Sequence, residues 1–189
     1  MNISVIFLLI YFVWIVSEIV LARIKHSKKT DSESKDKSSL RFLWITIITS
    51  IFIGVFSGVK GIGFIGEKSY LISLSGLILI ILGLAVRWTA IFTLKKYFTV
   101  DVSIVGNHQI VKRGIYRIIR HPAYAGSLLS FLGLGLSFSN WLSALVIFAP
   151  ILIAFSYRIS VEEKALIEAF GDEYINYRKI TKKLIPGIY

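Results

Sequence analysis

GIYRIIRHPAYAG, Gly114 to Gly126, is the stretch on which the reading of this chain turns. It holds two arginines, a histidine, two tyrosines and a proline where a basic, amphipathic segment gives way to a fresh apolar helix. Proline suits the first turn of a helix, where its missing N–H costs nothing, so Pro122 marks a helix start. The helix it opens, residues 123–138, carries no charge. Ser139-Asn140 reads as a very tight turn, and residues 141–157 as a second apolar helix, so the two form an antiparallel hairpin. Pro150 lies midway along the second helix and is expected to kink it or free a backbone carbonyl.

Outward from this hairpin, the chain is mostly hydrocarbon. Of 189 residues, 55% are hydrophobic and 17% charged, against roughly 25% charged in soluble domains. A soluble domain of this size could not hide so much apolar surface, so the excess faces lipid. Residues 3–22, 42–59 and 70–86 read as three further spans. A signal peptide is not expected, because no basic residue precedes the first run and no small-residue cleavage site follows it. Glu18, in the first span, reads as a headgroup-level partner of Arg23 or Lys25. Residues 23–40 form a polar linker, and Arg87-Trp88 an interfacial pair closing the third span. Residues 91–119 lack a span-length apolar run. They carry Lys95, Lys96, Lys112, Arg113 and Arg117 among aromatics, as short elements in the membrane interface do. After Tyr157 the helix continues in amphipathic form to Gly171, a C′ glycine. Asp172 is placed to cap a last helix containing Tyr174, Tyr177 and Arg178, which Pro186-Gly187 ends.

The fold class is therefore an all-α integral membrane protein. It is expected to have about five transmembrane helices and a cytoplasmic, cofactor-binding C-terminal region. Residues 1–91 supply three spans. Residues 92–189 supply the interfacial segment, the hairpin and the amphipathic helices. With five spans, one side of the membrane receives 20 of the 22 Lys and Arg residues; only Lys60 and Lys68 fall on the other. That bias puts the C-terminus in the cytoplasm and the N-terminus outside.

Several chemistries are excluded or weak. There is no cysteine, hence no thiolate nucleophile or Cys-based metal site. His26, His108 and His121 have no metal-ligand spacing, so no metal is expected. No G-x-S-x-G elbow appears. Gly61-Ile-Gly63-Phe-Ile-Gly66 matches G-x-G-x-x-G, but joins two apolar helices instead of a strand and a helix, and reads as a turn. The net charge of +11 flanks apolar spans instead of forming one stripe, which argues against a nucleic-acid partner. Transport is weakly supported, since spans two to four lack charges and no repeat relates the halves; a non-enzymatic membrane scaffold or transporter with a structural charged cluster stays open as an alternative.

The polar groups that remain converge. Arg120 to Tyr124 open the fourth span at its cytoplasmic end, and Arg158, Glu162 and Glu163 close the fifth at the same level. Arg158 and Glu162 are i and i+4, so they share a helix face. Such a cluster could hold a small zwitterion or a nucleotide-like cofactor. An arginine, Arg120 or Arg158, would take a carboxylate. Glu162 would take an ammonium or ribose hydroxyls. Tyr116, Tyr124 and His121 would flank a base or cation. Snorkelling anchors and belt aromatics account for the same residues equally well.

The spacing of these residues resembles a known family. Ile110-Val111, Gly114, Tyr116, Arg120-His121-Pro122, Tyr124 and Gly126, then Glu162-Glu163, Leu166, Phe170-Gly171, Tyr174, Tyr177 and Pro186, look like the isoprenylcysteine carboxyl methyltransferases. These are small integral-membrane enzymes that use S-adenosylmethionine and are related to the phospholipid methyltransferases. The resemblance covers about residues 95–189; the first three spans match only in kind. It implies that His108, Gln109, Ile110, Val111, Tyr116, His121, Pro122, Ala123, Tyr124 and Glu162 line the cofactor pocket, and that Arg158 faces the acceptor. It also implies a pocket open to the cytoplasm for the cofactor and to the bilayer for a lipophilic or prenylated-cysteine acceptor. A carboxylate acceptor is ionised at neutral pH and needs only orienting, by Arg158. An amine or thiol, as in phospholipid or thiol methylation, must lose a proton, which makes Glu163 or His121 the base.

Overall fold

The structure is a computed structural model that describes residues 3–24, 37–66, 69–98 and 109–187. His108 and the middle of the polar linker lie outside the described residues. Among the described residues six α-helices carry the fold: α1 (Ile3–Ile24), α2 (Lys37–Lys60), α3 (Ser69–Leu94), α4 (Pro122–Ser137), α5 (Trp141–Phe170) and α6 (Asp172–Ile180). Among the described residues three helices, Ser38–Lys60, Ser69–Leu94 and Trp141–Phe170, are long and apolar enough to cross a membrane. The expected count was five. The apolar stretch of α1 described here, Val5–Leu21, is shorter. Helix α4 has 16 residues and reaches about 24 Å, against a hydrocarbon core of about 30 Å.

Helix α4 is an inner helix, with most of its residues buried. Its contact with α3 is backbone to backbone. A Cβ on Gly133 would lie 2.5 Å from the carbonyl oxygen of Gly76, and one on Gly126 2.5 Å from that of Gly83. The two glycine pairs stand seven residues apart on antiparallel helices, so they recur on one face and let the backbones meet. Small residues are the usual means of close helix packing in lipid. Helix α5 packs on α2 and α4 through Ile147, Ile151, Ala154 and Ile159, all fully buried. It runs through Pro150 as one helix.

The far end of the bundle is tied by a turn. Gly61, Gly63 and Gly66 all have positive φ, which glycine alone adopts without cost. The turn is pinned to the α4–α5 corner: Asn140 donates from Nδ2 to the Ile62 carbonyl at 2.7 Å, and Trp141 N–H to the Gly63 carbonyl at 3.1 Å. Asn140 also caps α5, accepting from Ser143 N–H at 2.9 Å.

At the opposite end, Gly171 closes α5 by donating to the Ile167 carbonyl at 2.8 Å. Gly171 also occupies the cap position of α6, and Asp172 sits in that helix's first turn without a side-chain cap bond. The expected Asp172 cap is therefore corrected. Asp172 instead places negative charge where the helix dipole favours it. Beyond α6 the chain returns beside the opening stretch. Arg120 N–H donates to Lys182 O at 2.8 Å, His121 N–H to Lys183 O at 3.1 Å, and Lys182 N–H to Ile118 O at 3.0 Å. Leu184 then plugs into the core. These bonds fix the backbone immediately before Pro122.

Candidate active site

Pro122 is the first residue of α4, so the residues around it leave the helix end in a fixed direction. Tyr124 donates from its hydroxyl to Glu162 Oε2 at 3.0 Å. Its ring meets His121 edge-on at 5.9 Å and Phe155 at 5.1 Å. Glu162 and Glu163 are neighbours on α5 with different surroundings. Glu163 turns inward: Oε1 accepts from Arg120 Nε at 2.9 Å and stands 3.3 Å from His121 Nε2, and Oε2 is 3.6 Å from Arg178 Nη2. Arg120 Nη1 also donates to the carbonyls of Arg178, at 3.3 Å, and Thr181. Glu163 is thus the hub that joins the RHP segment, α5 and α6. Its side chain is 6% exposed and that of Arg120 8%.

A cavity of about 670 Å³ opens beside this cluster. Gln109, Ile110, Val111, Tyr116, Arg120, His121, Ala123, Tyr124, Arg158 and Glu162 line it. Ten of the expected site residues are therefore brought to one space. Pro122 and Glu163 are not on its wall. Pro122 is buried as the start of α4, and Glu163 is enclosed by its cations. The two arginines are not lipid-headgroup anchors. Arg158 is 1% exposed and donates from Nη1 to Ser39 Oγ of α2 at 2.6 Å. Arg120 lines the cavity, but its Nε and Nη1 are committed to Glu163 and two carbonyls.

Three groups on the wall are not among the site residues expected from sequence. Tyr174 and Tyr177 come from α6. Tyr177 donates to the Tyr116 carbonyl at 2.6 Å. Tyr174 is 3% exposed, and its buried hydroxyl has no hydrogen-bond partner among the described residues. Burial raises the phenols of Tyr116 and Tyr174, with the negative charge of Glu162 near both, and pushes Tyr177 up to about 12. All three stay neutral hydroxyl groups at physiological pH. The third group is Glu18. Its two carboxylate oxygens meet Arg87 Nε and Nη2, each at 2.7 Å, and Arg87 Nη1 reaches Ser127 Oγ at 2.6 Å. Glu18 is therefore the partner of Arg87 on α3, and Arg87 points into the bundle instead of ending a span at the interface. The i, i+3 spacing of Tyr174 and Tyr177 was a readable signal; the Glu18–Arg87 pair, 69 residues apart, had none.

From this polar end the cavity continues between apolar stripes. Helix α4 contributes Ser127, Phe131, Leu134 and, past its end, Phe138; α1 gives Tyr11, Trp14 and Ile15, and α2 gives Leu43, Ile47, Ile51 and Val55. One space thus has a polar head and a long greasy body.

Comparison with known proteins gives a consistent family. The model of the isoprenylcysteine carboxyl methyltransferase (ICMT) family matches residues 76–168. Protein-S-isoprenylcysteine O-methyltransferase B of Arabidopsis thaliana is 33% identical over 124 residues, covering 65% of this chain and 63% of that protein. The Saccharomyces cerevisiae protein-S-isoprenylcysteine O-methyltransferase is 38% identical over 115 residues, covering 60% of this chain and 48% of its own. The solved structure of a eukaryotic intramembrane Ras methyltransferase, ICMT, superposes with a TM-score of 0.55 at 27% identity, over 81% of this chain and 54% of that one. The chain spans less than two thirds of the length of each of these proteins.

Proposed function

Because the chain belongs to the isoprenylcysteine carboxyl methyltransferase family, we propose that it is an integral-membrane methyltransferase acting on the carboxylate of a lipophilic, isoprenylcysteine-like acceptor, with S-adenosylmethionine as methyl donor. The observation that carries this reading is the continuity of the cavity: a polar head walled by Tyr124, Arg158, Glu162 and Tyr174 runs directly into an apolar body. Few reactants other than an amphiphile with a charged end need both.

The residues present fit the donor. Glu162 keeps one carboxylate oxygen beyond its bond to Tyr124 and can accept from an ammonium or ribose hydroxyls. The Tyr174 hydroxyl, a buried donor without a partner among the described residues, suits a ligand acceptor, since leaving such a group unpaired costs about 1–3 kcal/mol. Gln109, Val111 and Tyr116 also line the pocket. When bound, S-adenosylmethionine supplies a methyl group already activated by the sulfonium.

What the chain must add is alignment, and proximity with orientation supplies about 7–11 kcal/mol in favourable cases. Arg158, held by Ser39 and next to Tyr124, would pair with the acceptor carboxylate by a charge-assisted bond. The aromatic wall of Tyr124 and Phe155 keeps water out of that contact. No proton has to move for a carboxylate acceptor. An amine or thiol would need a base, but Glu163 is enclosed by Arg120, His121 and Arg178, and His121 Nε2 faces Glu163. That arrangement favours the carboxylate and gives Glu163 a positioning role.

The same reading takes α1 and α4 as crossing the membrane within the bundle, for five crossings, with the site at the cytoplasmic face. The bias of 20 basic residues to that face supports it. The test is transfer of a labelled methyl group to an N-acetyl-S-farnesylcysteine acceptor in detergent or vesicles. A base-labile ester is expected. A base-stable product on membrane lipid, or no product together with no binding of S-adenosylhomocysteine, refutes the reading.

A further inference from the structure

The apolar body of the cavity extends as far along the α4 wall as Phe138. Along α4 the wall residues Ala123, Ser127, Phe131, Leu134 and Phe138 recur at helical spacing, so they form one stripe. From Tyr124 to Phe138 the stripe covers about 21 Å at the helical rise. One leaflet's share of the hydrocarbon core is about 15 Å, so the body is long enough to take a whole lipid tail. Beside Phe138, Tyr11 donates to Ser137 Oγ at 2.5 Å and ties α1 across the same end.

Phe138 is also part of the wall of a second cavity, of about 320 Å³, between Phe7, Phe64, Tyr70 and Leu74. Phe138 therefore lines both spaces. The ring is seated against Gly58 of α2, where a Cβ would come within 2.6 Å of its Cγ. A glycine there gives the ring its place.

We infer that Phe138 is the floor of the acceptor-tail cavity and determines the longest tail the protein methylates. The inference rests on the reading of the cavity's polar end as a methyl-transfer site. The occupant is an extended, unsaturated or branched hydrocarbon tail attached to the acceptor head. Such a tail gains burial with each unit until it meets the ring. Beyond that length the extra unit must fold back or displace Phe138, and overpacking is costly.

The test is a length profile. Wild-type protein, Phe138→Ala and Phe138→Leu are assayed for kcat/KM with N-acetylcysteine thioethers bearing geranyl, farnesyl, geranylgeranyl and geranylfarnesyl tails. Removing the ring joins the two cavities, so Phe138→Ala should raise the ratio of the longest to the farnesyl acceptor by about tenfold, the usual worth of pocket length in a hydrophobic site. Phe138→Leu should give an intermediate shift and guards against a folding defect in the alanine variant. A fall in kcat/KM by one common factor for all tails in both variants would make Phe138 merely structural and overturn the inference. Wild-type activity on any tail upholds the parent reading whatever the profile does. Wild-type inactivity on every tail refutes that reading and this inference with it.

Discussion

Glu163→Gln separates the two roles open to this carboxylate. The substitution keeps the shape and one acceptor oxygen but removes the charge that Arg120 meets at 2.9 Å and Arg178 at 3.6 Å. Breaking a buried ion pair from one side costs about 3–5 kcal/mol, because the other charge is left without compensation. Two features lower that figure. Arg120 keeps its bonds to the Arg178 and Thr181 carbonyls, and the amide oxygen of glutamine still accepts. A loss of about 2–3 kcal/mol is expected by the same reasoning, equivalent to a fall of about 5–10 °C in midpoint for a chain of this length. The measurement is thermal unfolding in detergent, with and without S-adenosylhomocysteine. Because Glu163 holds Arg120 and His121 next to the cavity wall, ligand affinity should fall as well. A base would behave differently: stability unchanged, turnover reduced, and the acidic limb of the pH–rate profile removed. An unchanged midpoint with the loss of that limb would refute the hub role and restore Glu163 as a proton acceptor.

Other consequences can be checked alongside. Tyr174→Phe deletes a buried hydroxyl that has no partner among the described residues, so unfolding stability should hold or rise by about 1 kcal/mol while affinity for S-adenosylhomocysteine, read by calorimetry, falls. Gly83→Ala places a Cβ against the backbone of Gly126 and Ser130 and should cost about 1–3 kcal/mol of stability by overpacking, measured as a lower unfolding midpoint. The raised phenol of Tyr177 predicts an alkaline limit. A folded-state value of about 12 against an ordinary 10.0 means that stability is complete below pH 10 and is lost as pH rises through about 12. Midpoints recorded from pH 8 upward should fall there, and less in Tyr177→Phe.

The parts of this molecule that were legible in sequence are those governed by local chemistry. Pro122 announced α4, Ser139-Asn140 its end, Gly171 the end of α5, and Gly61 to Gly66 a turn. Each rests on a residue whose backbone limits decide the geometry within a few positions. The polar convergence was legible too, because the hairpin fixes which helix ends meet. The site's detailed wiring was not. Arg120 and Arg158 are the same residue type at the same level, yet one is bound to Glu163 and the other to Ser39, and only packing separates them. Glu18 looked like a headgroup contact because its neighbours in sequence are basic. Its partner, Arg87, comes from a helix two elements away.

The bounds of α4 were legible, residues 123–138 against Pro122–Ser137, but its surroundings were not. Hydropathy treats every apolar helix as facing lipid, whereas α4 faces protein on several sides. Gly126 and Gly133 meet α3, and Gly135 meets Ala144 of α5. The remaining face presents Ser127, Phe131 and Leu134 to the cavity. Small residues where helices must touch and large ones where a tail must be gripped produce a sequence that is apolar throughout but divided by function. Both ends of the proposed substrate then depend on one rigid helix: Tyr124 at its start beside the reacting head, Phe138 just past its end under the tail. A change on the glycine face moves the whole helix, and should depress methyl transfer to every tail alike. A change at Phe138 alters only the space beyond the tail, and should redistribute activity among tails. Comparing Gly83→Ala with Phe138→Ala on the same set of acceptors therefore distinguishes displacement of the site from resizing of its floor, and equal length profiles in the two variants would contradict the division of α4 argued here.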